Sequence, residues 1–579
     1  MKTILTDCSS FERIISGGSI YVDKTDLLYR LVTGGGSRFF IARPRRFGKS
    51  LMISTLEALF KGRRDLFDGL KISGMDYGWP TYPVIHLDMS AVVAEDAESV
   101  KKNIVVQVQL LAARHGVQVN ALANETPSAC FSALLAAVAE KKGRELVVLI
   151  DEYDAPVNRL IEEERDSRAV SSILHDFYMQ LKVNDGNIRF LLMTGVSKFA
   201  KLSVFSGLNN LTDLTLEPEC ADLLGYTVPE IKMYFKEHIA AFARELAVTG
   251  EEVLEQLLDW YDGYRFSPHS DLKVTNPVSL ASALTRRRFE AFWDETGQSS
   301  LIYMYFQRRC IVPSQLEGVA ADSGDLNFCD INNVASPALL FQTGYLTIKD
   351  VRTDGRLVFG IPNREVKGAL EVGMMSYIFR EKKSEVLSGI RNAKEKLALN
   401  PGSAARIVGD MLTAAFKAVP YDDMVKGEPE ARRMFIFYCN LMGADVVGEQ
   451  HSSFGRSDVV LRLEQAVFIF EFKYGHTAEM ALQQAISKDY AGPFANGNKP
   501  VYLVGVNYNP KIRNIDPPKS VLWGGHLEAG LAATPEVGAS GATGPYQGES
   551  TANAIRDVQR IGDAVGAAVG LIAGSDDHA

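Results

Sequence analysis

A Gly-Lys-Ser triplet, Gly48-Lys49-Ser50, stands between a short apolar run with strand character, Ser37 to Ala42, and a run with helical apolar spacing, Leu51 to about Phe60. A strand that turns through such a loop into a helix belongs to a parallel sheet covered by helices, because the helix must pack back on the sheet. Such a loop also has its own chemistry. Backbone N–H groups and the helix N-terminus attract phosphate, Lys49 reaches the β- and γ-phosphates, and Ser50 ligates Mg²⁺. Arg45, Arg46, Phe47 and Gly48 complete the expected nucleotide-contacting set. The usual pattern asks for Gly at position 43, where this chain has Arg43; Arg43, Arg45 and Arg46 are expected to add positive charge beside a polyphosphate. About a hundred residues on, Glu145 to Ile150 is an apolar strand that ends in Asp151-Glu152. Asp151 is placed to hold Mg²⁺ through water and Glu152 to polarise an attacking water. A third strand, Ile188 to Thr194, ends in hydroxyl residues, and Thr194 and Ser197 are both candidate γ-phosphate sensors, with helix or turn capping an equal account of Ser197. The strands before the Gly-Lys-Ser loop and before Asp151 are expected to be neighbours, so that Ser50 and Asp151 share one Mg²⁺ shell.

A second constellation lies near the C-terminus. Ser457-Asp458-Val459-Val460-Leu461 and Ala466 to Lys473 read as hairpin strands joined by Arg462 to Gln465. Residues two apart on a strand share a face, which sets Glu471 beside Lys473. Asp458 and Glu471 then offer oxygen ligands to one or two Mg²⁺ ions, with Mn²⁺ as an alternative, and Lys473 orients water or steadies the phosphate. The all-oxygen set suits a hard divalent ion better than zinc. Spacing alone is weak evidence, since strands often end in a charge. The surroundings strengthen it: Glu449 lies upstream as a further acidic ligand, Ala478 to Tyr490 has helical spacing and carries Gln484, and Pro500 to Val506 is another buried strand.

Strand, strand, helix, strand, with an acid, Glu-x-Lys and Gln in this order, resembles the core of the PD-(D/E)XK nucleases. Tyr21-Val22-Asp23-Lys24-Thr25, the loop Arg43 to Ser50, Leu149 to Pro156, Thr194 to Phe199, Trp260 to Phe266, Leu340 to Ile348 and Ile361 to Val366 together resemble the bacterial AAA-ATPase-like proteins with a C-terminal PD-(D/E)XK domain. The resemblance runs from about Ile14 to Asn514. It implies an α/β fold: a P-loop AAA-type ATPase domain with helical lid and connector, followed by a PD-(D/E)XK nuclease-like α/β domain. It also implies that Arg43 is the family's usual loop residue, and that ATP and Mg²⁺ are the cofactors.

At 579 residues the chain exceeds what one hydrophobic core supports. The expected division is 1–216 for the ATPase-like domain, 217–419 for lid and connector, 420–523 for the nuclease-like domain, and 524–579 for a flexible Gly/Ala-rich tail. A small hairpin is expected around Thr353-Asp354-Gly355-Arg356. In the lid, the aromatic stripe Trp260 to Phe266 is packing by default, while Arg265 is a candidate to reach the nucleotide. No apolar run approaches a membrane span, and Met1 to Ser10 lacks the parts of a signal peptide. Six scattered cysteines, with no C-x-x-C pair, read as thiols of a cytoplasmic protein.

The formal net charge is -9, and Tyr421 to Ser520 holds eleven Lys and Arg against twelve Asp and Glu. No basic excess supplies general affinity for nucleic acid. Contact with it is left to a local groove with Arg456, Lys473, Lys488, Lys511 and Arg513; oligomeric state is left open. Two readings stand. The leading one is an ATPase coupled to a metal-dependent nuclease acting on DNA or RNA, favoured by intact Asp458, Glu471 and Lys473. Its rival, favoured by the charge balance, is a non-enzymatic nucleotide-dependent switch that keeps the nuclease-like fold for binding.

Overall fold

The computed structural model describes residues 1–119, 126–163, 165–196, 210–293, 316–327, 337–379, 404–417, 445–452, 455–462, 466–494 and 499–523, with short stretches between 388 and 435; for 445–452 and 455–458 it describes the backbone alone. Two units are separated, Met1–His526 and Leu527–Ala579, and every element below belongs to the first. The tail expected from 524 onward, and Ser197, lie outside the described residues. Among the described residues no helix is long and apolar enough to cross a membrane.

The first sheet holds β1 (Arg38–Ala42), β2 (Val84–Asp88), β3 (Leu146–Asp151), β4 (Ile188–Gly195) and β5 (Thr212–Asp213), all parallel, in the order β2-β3-β4-β1-β5. Its central strands β1, β3 and β4 are largely apolar because both faces are covered. Phe39, Ile41, Leu149 and Leu192 pack toward the helix Lys49–Phe60. Their neighbours Phe40, Val148, Ile150 and Met193 pack toward the helices Ala97–His115, Pro127–Lys142 and Arg168–Val183. One expectation fails here. The strand before the Gly-Lys-Ser loop, β1, and the acidic strand, β3, are not neighbours, because β4 pairs with both. Thr194 is thereby inserted between the two halves of the site.

Next come the helices Val228–Tyr234, Lys236–Leu246, Gly250–Tyr261 and Pro277–Arg286, around a core that includes Phe242, Leu257 and Leu280. Their starts are encoded locally. Thr227 with Glu230 and Thr249 with Glu252 form capping boxes, Asn276 accepts from the first amides of its helix, and Pro229 and Pro277 occupy first turns. The expected hairpin is present as β7 (Thr347–Val351) and β8 (Leu357–Gly360), with Gly355 at φ 83° in its turn. A third strand, β6 (Val319–Ala321), pairs with β8; three residues are too few for an alternation pattern to reveal. The helix Arg364–Phe379 follows.

The C-terminal sheet runs β13 (Asn514–Ile515), β12 (Val501–Asn509), β11 (Val467–Tyr474), β10 (Gly455–Arg462), β9 (Asp445–Ser452), with β14 (Lys519–Leu522) also on β12. β11 and β12 are parallel and the other pairs antiparallel. Val460, Ile469 and Leu503 form one face with Ala485 of the helix Ala478–Ser487. On the opposite face Phe435 packs on Phe470 at 4.9 Å between ring centroids, and Phe416 on Tyr508 at 5.6 Å. The molecule is thus mixed α/β, with a parallel sheet in the N-terminal region and an α/β region at the C-terminus.

Candidate functional site

Between β1 and its helix, the loop turns on two residues with left-handed backbone, Arg46 (φ 70°) and Gly48 (φ 92°). No side chain caps the helix Lys49–Phe60. Its first amides, which have no intrahelical partner, are therefore available to an anion. Lys49 is 4% exposed, and its Nζ donates to Arg43 O at 2.9 Å and Pro44 O at 3.0 Å. Burial lowers its pKa, against the fields of Glu152, Asp151 and Asp154, which raise it. Ser50 is half-buried beside it.

Asp151 ends β3, nearly fully buried. Its Oδ1 accepts a short hydrogen bond from Thr194 Oγ1 and one from Glu152 N at 3.1 Å. Glu152 has φ 50°, a left-handed conformation that costs a non-glycine residue about 1 kcal/mol or more and must be held by its surroundings. They are visible: Tyr153 N donates to Thr194 O at 2.9 Å, and Val196 N donates to the buried carboxylate of Asp154 at 3.3 Å. Burial raises the Glu152 pKa, Lys49 opposes the rise, and Asp151, Asp154 and Asp88 add to it. Asp88 ends β2 in register with Asp151. A cavity of about 370 Å³ opens here, bounded by Arg46 to Met52, Glu152, the N-terminal residues 4–9, 20–22 and Lys24, and lid residues Leu223 to Tyr226, Pro277, Val278 and Ala281.

The structure places several residues differently from the expectation. Arg43 does not add charge beside the cavity: it is 1% exposed, donates to Thr215 O at 2.6 Å and Cys220 O at 3.1 Å, and lies 4.2 Å over the Phe266 ring. Arg45 is paired with Glu162 at 3.1 Å, and Arg46 donates to Phe292 O at 2.8 Å while bordering the cavity. Phe47 is buried edge-on against Tyr264 and Phe266. Arg265 is a clamp for its own loop, donating to Ser267 O, Pro268 O and Ser270 O and pairing with Asp271, and is not among the residues that line the cavity. One pair escaped the sequence reading. Lys24, which lines the cavity, meets Glu230 of the lid at 2.7 Å, both largely buried. The Tyr21 to Thr25 run marks the place without showing its partner.

In the C-terminal region Glu471 is 3% exposed, and Lys473 Nζ meets its Oε1 at 3.0 Å, as strand alternation requires. The pairs Ser457↔Gln450 and Val459↔Gly448 bracket Asp458 and Glu449, and Val459↔Phe470 leaves Asp458 one step along, at the level of Glu471. Three acidic positions thus stand at one cross-strand level of adjacent strands; the side chains of Asp458 and Glu449 lie outside the described residues. Glu471 is also in register with Gly505 of β12. A Cβ at 505 would overlap Ala478 O and Leu482 N, so glycine lets the helix Ala478–Ser487 settle onto this level of the sheet. Gln484 is half-buried on that helix. Asn507, fully buried and in register with Lys473, accepts from His476 N at 2.9 Å and donates to Asp516 at 2.6 Å, which pins the turn leading to the helix.

Comparison with known proteins bears on the fold of both regions. Residues 6–205 match the family model described as predicted AAA-ATPase, and residues 426–517 match that of the PD-(D/E)XK nuclease superfamily. The chain is 31% identical over 530 residues to an uncharacterized protein in the vnfD 5' region of Azotobacter chroococcum mcd 1, a similarity that spans 89% of this chain and 98% of that protein.

Proposed function

This chain belongs to the predicted AAA-ATPase-like proteins with a C-terminal PD-(D/E)XK nuclease superfamily domain, and from that premise we propose that it binds and hydrolyses ATP at the first site and cleaves phosphodiester bonds of DNA or RNA at the second. One observation carries the reading: Lys49 and Glu152 line a cavity of about 370 Å³, and Asp151, which adjoins Glu152 and accepts from Thr194, brings the ends of β3 and β4 to the loop that follows β1. A nucleoside fits that volume. In this reading Lys49 exchanges the Arg43 and Pro44 carbonyls for the β- and γ-phosphates. The hydroxyl of Ser50 and the carboxylate of Asp151 are hard oxygen donors suited to Mg²⁺, which when bound neutralises phosphate charge. Glu152, desolvated and held in a strained backbone, orients the attacking water, and Thr194 links the γ-phosphate position to Asp151.

At the second site, Asp458 and Glu471, with Glu449 as a further donor, form an oxygen set for Mg²⁺ or Mn²⁺, and a bound divalent ion would supply an activated water and charge neutralisation. Lys473 orients water or steadies the phosphate, and Gln484 positions the substrate from the helix. Nucleotide-binding assays on Lys49→Ala and hydrolysis assays on Glu152→Gln test the first half. Lys49→Ala should weaken ATP binding at least tenfold, and Glu152→Gln should retain binding while slowing hydrolysis about 100-fold. Unchanged ATP affinity in Lys49→Ala would exclude this site.

A further inference from the structure

The loop residues that depart from a glycine-rich cradle, Arg43, Pro44, Arg46 and Phe47, all make contacts with elements beyond the phosphate loop, Arg46 and Phe47 while also bordering the cavity. Arg43 holds the carbonyls of Thr215 and Cys220 and covers Phe266. Phe47 fills the space between Tyr264 and Phe266, at 4.8 and 5.2 Å. Pro44 packs on Gly344, which has φ 90° and where an added Cβ would come within 2.8 Å of the Pro44 Cβ. Arg46 binds Phe292 O. The segments so contacted also meet one another. Trp293 N donates to Glu365 Oε1 at 2.8 Å, Trp293 stacks edge-on with Tyr345 at 4.8 Å, and Asn363 Nδ2 donates to Asp262 O at 2.8 Å. Glu365 is fully buried in the first turn of the helix Arg364–Phe379. An unbroken chain of contacts therefore runs from the phosphate loop to that helix.

We propose that Arg43 and Arg46 are positioning residues of the ATP site, which shape the phosphate loop from outside by gripping the connector, so that loading the loop and docking the helix Arg364–Phe379 form one linked equilibrium. This rests on the ATP reading given above. The physical need is clear at Arg46. A left-handed backbone at a non-glycine residue is unfavourable by itself; the bond to Phe292 O holds it, and this conformation sets the turn that leads into Gly48 and Lys49. A phosphate that orders the loop then strengthens the grip on Phe292, and by reciprocity a docked connector raises nucleotide affinity.

The test combines nucleotide affinity, read with a fluorescent ATP analogue and Mg²⁺, with hydrogen exchange of the full chain. In wild type, nucleotide should slow exchange in peptides covering Phe292–Trp293, Gly344–Leu346 and Ile361–Val366. Arg46→Gly accepts the left-handed backbone but has no side chain to grip, so it should lose that remote protection and, with the coupling, at least threefold in nucleotide affinity. Arg46→Ala should also lose about tenfold in affinity. Glu365→Ala probes the far end: Glu365 does not line the cavity, yet nucleotide affinity should fall at least threefold. Wild-type protein that binds nucleotide without protecting the connector, protection that persists in Arg46→Gly, or unchanged affinity in Glu365→Ala would overturn the proposal. Wild type that binds no nucleotide would instead sink the ATP reading and the proposal with it.

Discussion

The two sites of this protein are built by opposite means. The C-terminal one depends on strand register: Glu471 and Lys473 are two residues apart on β11, and Asp458 and Glu449 fall at the same level of β10 and β9. The N-terminal one is a loop held by distant partners, with Arg43 bonded 172 and 177 residues away and Arg46 bonded 246 residues away. A site set by register is robust to distant elements and sensitive to whatever packs directly on the sheet. A site set by long-range contacts is sensitive to elements that never touch the ligand.

The largest effect should come from the glycines on which each site depends. Gly505→Ala forces backbone overlap with Ala478 and Leu482, should cost roughly 3 kcal/mol in urea unfolding, and should impair the C-terminal site while sparing nucleotide binding. Gly195→Ala, whose Cβ would overlap the Tyr153 ring and press on Asp154 at 2.8 Å, should do the converse. If both variants damage both activities equally, the contrast between the sites is lost.

A smaller effect concerns Glu365. Burial pushes its carboxyl up to about 7, opposed by the amides of Trp293 and Phe292. The folded protein therefore holds this proton more tightly than the unfolded chain does, so the group's stabilising contribution is complete below the unfolded pKa and is lost as pH rises through about 7. Glu365→Gln should remove roughly 2 kcal/mol of the decline in stability between about pH 5 and pH 8, read as the difference between two urea titration series. Parallel curves for variant and wild type would show that the carboxyl ionises freely in the fold.

The smallest expected effect is at the lid. A double-mutant cycle on Lys24→Met and Glu230→Gln should give a coupling of about 1 kcal/mol in stability, since the 2.7 Å pair is shielded from solvent on both sides. A coupling near zero would mean that the pair adds nothing to holding the lid.

The same contrast explains what the sequence made legible. Alternation along a strand is local, so the companionship of Glu471 and Lys473 could be read from their spacing, and strand ends marked Asp151 and Thr194. Strand order is not local. Nothing in the runs around β1, β3 and β4 says that β4 inserts between the other two, although the consequence, a hydrogen bond from Thr194 to Asp151, is central to the site. Charge also misled: three arginines in one loop suggested a phosphate field, whereas Arg43 is buried on carbonyls and an aromatic ring. A buried guanidinium with five donors finds backbone acceptors that no window of sequence displays. The pairing of Lys24 with Glu230 spans 206 residues and was hidden for the same reason.

The central claim is that one chain carries two separable chemistries, and Asp458→Asn tests it most directly. ATP hydrolysis and Mg²⁺- or Mn²⁺-dependent cleavage would be measured on the same preparation, against single- and double-stranded DNA and RNA. Asp458→Asn should abolish cleavage, because an oxygen ligand with its charge is removed from the acidic level of the sheet, and should leave ATP turnover within about twofold of wild type. Cleavage at the wild-type rate by Asp458→Asn would contradict the nuclease assignment and leave the C-terminal domain as a binding module.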